Sequence, residues 1–339
     1  MALWSGHHHQ HDGGGIAMGD RRRVLVTGAT GGIGYFVAEQ LARKGHRVVL
    51  AARSAERAEA ATAIIQRLVP GADLEVVLLD LADLGSVAAA AERLAAGEPL
   101  ATLVANAACV SYGLRREPPR VTADGLELHL GTAYLGHYAL LARLLPRLQA
   151  WGTRIVHVGS LGARLPVGRS PWDRLTTPRP EAPLRSYARS KAGVTLLHHE
   201  LARRLTGTSA ASSVLAHPGT AVDVLTPGRH GIPASQPTEI GALSRLLVRG
   251  MHGKHDGAAV LVHAATDPEV RNGEVWGPAG RWQVSGPPAR VHLPVPRRAG
   301  PLTRELLAVS EEVTGLALRF GPGGSPGQPW PPRSTAKAS

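Results

Sequence analysis

The sequence predicts an α/β fold: one doubly wound domain on a seven-stranded parallel sheet. Three observations carry that expectation. Short apolar runs alternate with longer amphipathic segments along most of the chain. The runs are apolar at nearly every position, as strands covered on both faces must be. The first of them, Val24–Thr27, ends in a glycine-rich turn that opens an amphipathic segment, Tyr35–Lys44.

That turn reads Gly28-Ala29-Thr30-Gly31-Gly32-Ile33-Gly34. Glycine at 28 permits a tight bend, and glycines at 32 and 34 let backbone and helix come close to a pyrophosphate. The positive end of the following helix favours the phosphate charge. Thr27, Gly28, Thr30, Gly32, Ile33 and Gly34 are therefore expected to bind a dinucleotide; the alternative is an ordinary strand-turn-helix. The first helix stops at Gly45, and His46–Ala51 forms the second strand. Its end reads Leu50-Ala51-Ala52-Arg53-Ser54, with no carboxylate before Glu56. A carboxylate there would bind a ribose 2′-hydroxyl, whereas Arg53 suits a 2′-phosphate. NADP(H) is the expected cofactor.

Helix Ala55–Leu68 is closed by Pro70-Gly71 and followed by strand three, Leu74–Leu79, and helix Leu84–Ala95. Strand four is Thr102–Ala105, and after a loop comes a long helical stretch, Ala123–Gln149. Strand five spans Thr153–Val158, then come helix Tyr187–Leu205 and strand six, Ser213–Ala216. A Pro/Gly-rich loop leads to helix Thr238–Met251 and a seventh strand, Ala258–His263. Such alternation implies right-handed crossovers. The domain is expected over 21–320, between a flexible N-terminal tail, 1–20, and a flexible C-terminal tail, 321–339, too poor in apolar residues to pack. Nothing organises His7-His8-His9-Gln10-His11 in the first tail into a metal site.

Composition narrows the function. The 339 residues are 43% hydrophobic, which fits a globular protein. The net charge of +12 comes from arginines scattered along the chain, with Arg21-Arg22-Arg23 the one run. No aromatic-interleaved basic stripe accompanies them, so a solvated basic surface is expected and no nucleic acid. Cys109 is the sole cysteine, so no intramolecular disulfide and no thiolate metal site can form. The start lacks a secretory pattern and no apolar run reaches membrane-span length. The expectation is a cytoplasmic protein with a small-molecule partner; a homodimer is compatible with it.

The chemistry lies beyond the glycine-rich turn. Tyr187-Ala188-Arg189-Ser190-Lys191 sets a phenol and an ammonium four residues apart on one helical face. A phenol titrates near pH 10 unaided and needs a neighbouring cation to act as an acid-base group. Lys191 supplies one. Ser160 ends strand five at its carboxyl edge, where open α/β sheets bind ligands.

Taken in order, these features resemble the short-chain dehydrogenase/reductase family over roughly residues 20–320. The resemblance rests on Thr27-Gly28 with Gly32-Ile33-Gly34, Asp80-Leu81, Ala105-Asn106-Ala107-Ala108, Ser160, Tyr187 with Lys191, and His217-Pro218-Gly219. Further segments resemble its retinol-dehydrogenase-like branch, which includes bacterial ketoreductases such as those acting at C-13 of daunorubicin. They are Ala52-Arg53-Ser54, Asp124-Gly125-Leu126-Glu127, Leu135-Gly136-His137-Tyr138 and the late Leu307–Gly315. The resemblance implies a Rossmann-type fold and NADPH-dependent carbonyl reduction, or its reverse, on a bulky lipophilic substrate. An aromatic polyketide ketone such as an anthracycline is one candidate, and a retinoid another. It makes Tyr187 the acid-base group, has Ser160 hydrogen-bond the substrate oxygen, and has Lys191 lower the phenol pKa and hold the nicotinamide ribose. Asp80, Leu81 and Asn106 then lie on the adenine and ribose side, and Pro218, Gly219 and Thr220 on the carboxamide side.

One departure stands out. The family usually carries an asparagine in the helix before the serine strand, where it helps hold a water linking the lysine to solvent; here Ala133 aligns with it. The long Leu161–Arg185 loop and the Ala221–Gln236 segment are expected to wall the substrate cleft, with Val222, Val224, Leu225 and Ile232 lining it. Two other readings stay open: an NADP(H)-sensing protein without turnover, which Ala133 favours, and a sugar-nucleotide epimerase or dehydratase. Against the latter, the chain after the seventh strand is short for a substrate domain.

Overall fold

The computed structural model describes residues 21–110, 112–168, 171–234, 248–293 and 299–321. Most of the two expected tails and of the expected helix Thr238–Met251 lie outside them. In chain order the main elements are β1 (Arg23–Thr27), α1 (Gly32–Arg43), β2 (Arg47–Ala52), α2 (Ala55–Leu68), β3 (Leu74–Leu78), α3 (Leu84–Ala96) and β4 (Thr102–Ala105). A short α4 (Leu128–Leu130) runs through a π turn at Gly131–Leu135 into α5 (Gly136–Trp151). Then follow β5 (Arg154–Val158), a 3-10 turn (Leu161–Arg164), α6 (Asp173–Thr176), α7 (Pro183–Leu205) and β6 (Ser212–Ala216). The described chain closes with α8 (Lys254–Thr266), β7 (Val275–Pro278), β8 (Pro288–Arg290) and α9 (Ala299–Thr314).

The strands form one sheet in the order β3-β2-β1-β4-β5-β6-β7-β8. All pairs are parallel except β7 with β8. Alternate strand residues feed two apolar layers. Leu25, Leu103, Ile155 and Leu215 pack with α3, α5, α7 and α9 on one face. Val24, Val26, Val104, Val156 and Val214 pack with α1, α2 and α8 on the other. Local chemistry sets the helix ends: Ser54 and Asp83 cap α2 and α3, Pro183 opens α7, and Gly152 ends α5 in the left-handed region at φ 67°.

The sheet has eight strands rather than seven, and the predicted seventh, Ala258–His263, lies inside α8. Ala258, Val260, Leu261, Val262, Ala264 and Ala265 are all buried because α8 packs on the sheet and, along its flank, against α1. A helix buried on most sides shows no 3.6-residue period, so its short apolar run reads like a strand. The true β7, Val-Trp-Gly-Pro, contains two poor strand formers, and β8 carries Pro288, which an edge strand tolerates. The long helical stretch begins at Leu128, not Ala123. The late Leu307–Gly315 segment falls largely in α9, tied to the core by Tyr134 Oη–Ser310 Oγ (2.8 Å) and by Trp172 Nε1 donating to Leu302 O (2.9 Å).

Candidate active site

Neighbours β1 and β4 lead away to opposite halves of the sheet, and the chain opens a crevice beyond their carboxyl ends. The resulting cleft of about 820 Å³ is lined by residues from the glycine-rich turn, the ends of β2 to β6 and α7. The glycines are required by close approach. Gly28 has φ +66° and donates to Ala51 O at 3.0 Å. A Cβ on Gly34 would lie 2.3 Å from Gly28 O and 2.4 Å from Asn106 Nδ2, so only glycine fits. No side chain caps α1, and Gly32 N–H donates to Pro233 O (3.1 Å) from the loop that follows β6.

Thr27 and Asn106 hold the sheet ends together. Thr27 Oγ1 accepts from the backbone N–H groups of Asn106 (2.9 Å) and Ala107 (3.0 Å). Asn106 Nδ2 donates to Thr27 O (2.8 Å). Asp80 accepts from Ala82 N (2.9 Å), forming the turn after β3. Arg53 is exposed at the end of β2, on the cleft wall.

Ser160, Tyr187 and Lys191 meet on the opposite wall. Ser160 caps the 3-10 turn, accepting from Gly162 N (3.1 Å), beside the Tyr187 phenol. Tyr187 and Lys191 lie one turn apart on α7, 6% and 4% exposed. Lys191 Nζ donates to Val158 O (2.9 Å) and lies 6.0 Å from the Tyr187 ring centroid. Burial lowers the amine to about 8. Burial also pushes the phenol up to about 12, countered by a hydrogen bond with Ser160. Among the influences on the phenol, the lowering one is Ser160 rather than the expected Lys191.

Of the predicted site residues, Thr27, Gly28, Thr30, Gly32, Ile33, Gly34, Arg53, Asp80, Leu81, Asn106, Ser160, Tyr187, Lys191, Pro218 and Gly219 all line this one cleft. Thr220 does not; its N–H donates to Val284 O (2.8 Å). Nor do Val222, Val224, Leu225 and Ile232: Ile232 is buried in the α1 layer, and Ala221, Asp223, Pro233 and Ala234 face the cleft instead. Lys254 holds this loop by pairing with Asp223 and donating to Ala234 O (2.7 Å). The Leu161–Arg185 excursion walls a second cavity of about 760 Å³ with Leu114, which shares Glu181 with the first. Sequence reasoning missed Tyr112, whose ring stands edge-on to Tyr187 at 5.9 Å, and the Glu181–Arg189 pair (2.6 and 2.9 Å). Only long-range packing brings these to the site. Among the described residues no cluster of three potential ligands is arranged for a metal, and no helix is long and apolar enough to cross a membrane.

Residues 22–172 match the short chain dehydrogenase family. Retinol dehydrogenase 11 of Mus musculus is 38% identical over 204 residues, 60% of this chain and 62% of that protein. Polyprenol dehydrogenase of Mus musculus is 35% identical over 74% of this chain and 72% of its own length. The chain spans less than two thirds of the length of several such relatives. Among solved structures, an uncharacterized protein from Mycobacterium paratuberculosis is 29% identical with a TM-score of 0.66, covering 88% of this chain and 96% of its own. A short chain dehydrogenase from Burkholderia cenocepacia in complex with NADP is 28% identical, with a TM-score of 0.53, over 76% of this chain and 95% of its own.

Proposed function

The chain belongs to the short chain dehydrogenase family, and from that premise we propose that it interconverts a carbonyl and an alcohol with NADP(H). The observation that carries the reading is one cleft lined by both the glycine-rich turn and the Ser160, Tyr187 and Lys191 set. The turn suits a dinucleotide because Gly28 and Gly32 take positive φ, Gly34 lets α1 close on Gly28 O and Asn106 as no Cβ would allow, and the α1 N-terminus on the cleft wall has no side-chain cap. Gly28, Thr30, Gly32, Ile33 and Gly34 would hold its pyrophosphate, Arg53 its 2′-phosphate, Asp80, Leu81 and Asn106 its adenine half, and Pro218 and Gly219 its carboxamide side. Bound there, the nicotinamide would supply or accept the hydride.

The protein's own residues handle the oxygen. As hydride reaches a carbonyl carbon, negative charge grows on its oxygen, and preplaced donors stabilise it. Ser160 donates a hydrogen bond, and Tyr187 donates its proton. Lys191 orients the ribose and lends positive charge to the phenol. The substrate class is a bulky lipophilic aldehyde or ketone, supported by the apolar cavity beside the cleft, walled by Leu114, Leu165, Pro166 and Val167, and by relatives named for retinol and polyprenol. Aromatic polyketide ketones, including the anthracycline C-13 carbonyl, belong to the same class. Screening carbonyl compounds by loss of NADPH absorbance tests the reading. Tyr187→Phe should abolish turnover and leave NADPH affinity near wild type; retained turnover would overturn the assignment. A second reading, NADP(H) sensing without turnover, is favoured only by Ala133, and absence of turnover across the screen with tight NADPH binding would select it.

A further inference from the structure

The second cavity carries charge as well as apolar surface. Beside Leu114, Leu165 and Val167 it is lined by Arg174, Arg185 and Arg189, against a single carboxylate, Glu181. The first turns of α7 stand between it and the cleft. Pro183, Ser186, Tyr187 and Lys191 line the cleft, whereas Leu184, Arg185, Ala188 and Arg189 line the cavity. At the helical spacing these two sets fall on opposite flanks of one helix. Glu181, just before the helix, lines both spaces, so they meet around its start.

The three arginines are not equivalent. Arg189 is buried and donates from both Nη atoms to Glu181 (2.6 and 2.9 Å), and Ser186 Oγ donates to the same carboxylate (2.6 Å). That pair is neutral and pins Glu181 in place. Arg185 is exposed, and water solvates its charge. Arg174, on α6, is half-buried and differs from both. Among the described residues no acceptor meets its guanidinium and no carboxylate pairs with it, and its Nη1 is closed off from water as well. A part-buried guanidinium without a counterion is an unfavourable arrangement in a finished fold, and an anion in the cavity would balance it.

We propose that the cavity is a subsite for an anionic end group: the substrate is a lipophilic aldehyde or ketone whose far end carries a carboxylate, held by Arg174 with Arg185 beside it. The proposal rests on the carbonyl-alcohol reading and narrows its substrate class. Leu114, Leu165 and Val167 cover the chain between the two ends. One unpaired guanidinium balances one negative charge, which a carboxylate carries; a phosphate monoester carries nearly two. With the carbonyl at Tyr187 and the carboxylate on the other flank of α7, the ends lie a helix diameter apart, on the order of 10 Å. A decane-length chain reaches across that span and a hexane-length chain does not.

The test follows NADPH oxidation by the full chain with ω-oxodecanoate, ω-oxohexanoate and the methyl ester of each. Wild type should prefer the long acid to its ester about tenfold in kcat/KM, as one charge-assisted hydrogen bond allows, chiefly through KM. Raised salt should narrow that preference, and the short pair should show none. Arg174→Met, which keeps the apolar stem, should lower kcat/KM for the long acid about tenfold and alter that for its ester less than about twofold. NADPH affinity should not move. Because Arg174 has no protein partner to lose, the variant should unfold at no lower urea concentration than wild type, which a scaffolding arginine would not allow. Equal kcat/KM for the long acid and ester in wild type, an equal preference in the short pair, or a loss in Arg174→Met shared by acid and ester overturns the subsite and leaves the carbonyl-alcohol reading intact. If wild type turns over no carbonyl, that reading falls and calorimetry with decanoate decides the subsite alone. Binding that Arg174→Met weakens about tenfold supports it, and no binding, or binding the variant keeps, refutes it. Should Arg174→Met not fold, Arg185→Gln should cut the acid preference about threefold, an unchanged preference refuting the subsite.

Discussion

Replacing Lys191 by methionine should stabilise the fold while abolishing turnover. Lys191 is 4% exposed, and burial lowers its amine from 10.5 to about 8. At about 1.4 kcal/mol per pKa unit, carrying the ammonium in the folded state costs about 3 kcal/mol at pH 7. Methionine keeps the length and apolar contacts of the stem and removes the charge. It also takes away the donor to Val158 O at 2.9 Å, a loss of about 1 kcal/mol. The net gain at pH 7 is then about 2 kcal/mol. Its pH dependence follows from the direction of the shift. Between pH 8 and 10.5 the unfolded chain binds the lysine proton and the folded chain does not, so wild-type stability rises with pH across that window. The variant lacks this rise, and by about pH 10 the two proteins should be nearly equal. Urea unfolding at both pH values, with unchanged m, measures the gap. A variant less stable than wild type at pH 7, or a gap that does not move with pH, refutes the reasoning.

Arg53→Asp should reverse or abolish the preference for NADPH over NADH, because an arginine–phosphate hydrogen bond is worth about 1.5–3 kcal/mol; kinetics with both cofactors check it, and equal kinetics in wild type would refute it. Acid should destabilise the fold below pH 6.5. His137 and His217 fall to about 4 and His157 to about 3 through burial, so the unfolded chain alone takes up protons there, at about 2 kcal/mol per ring by pH 5. Urea midpoints that stay level from pH 7 to 5 would contradict this. Leu114→Ser and Leu165→Ser, on exposed walls of the second cavity, should lower kcat/KM for large ketones more than for small ones and leave NADPH affinity unchanged; an unaltered substrate ranking would rule that wall out of specificity.

By itself the sequence determined the parallel core of the sheet, the glycine-rich turn and the positions of Ser160, Tyr187 and Lys191. These follow from local rules: strands buried on both faces are apolar throughout, a close backbone approach admits only glycine, and residues four apart share a helix face. Only the tertiary structure decided the rest. Whether Ala258–His263 is strand or helix depends on what surrounds it, and burial against both α1 and the sheet erased its period. Ile232 is apolar in either setting, so nothing in its own segment told that it turns into the α1 layer rather than the cleft. Tyr187 and Lys191 were legible as residue types, but the shifts in their pKa were not, because desolvation is a property of the assembled core. The buried pair His157 and His198 is the clearest case: β5 and α7 bring the two rings within 5.9 Å, and no spacing along the sequence records it.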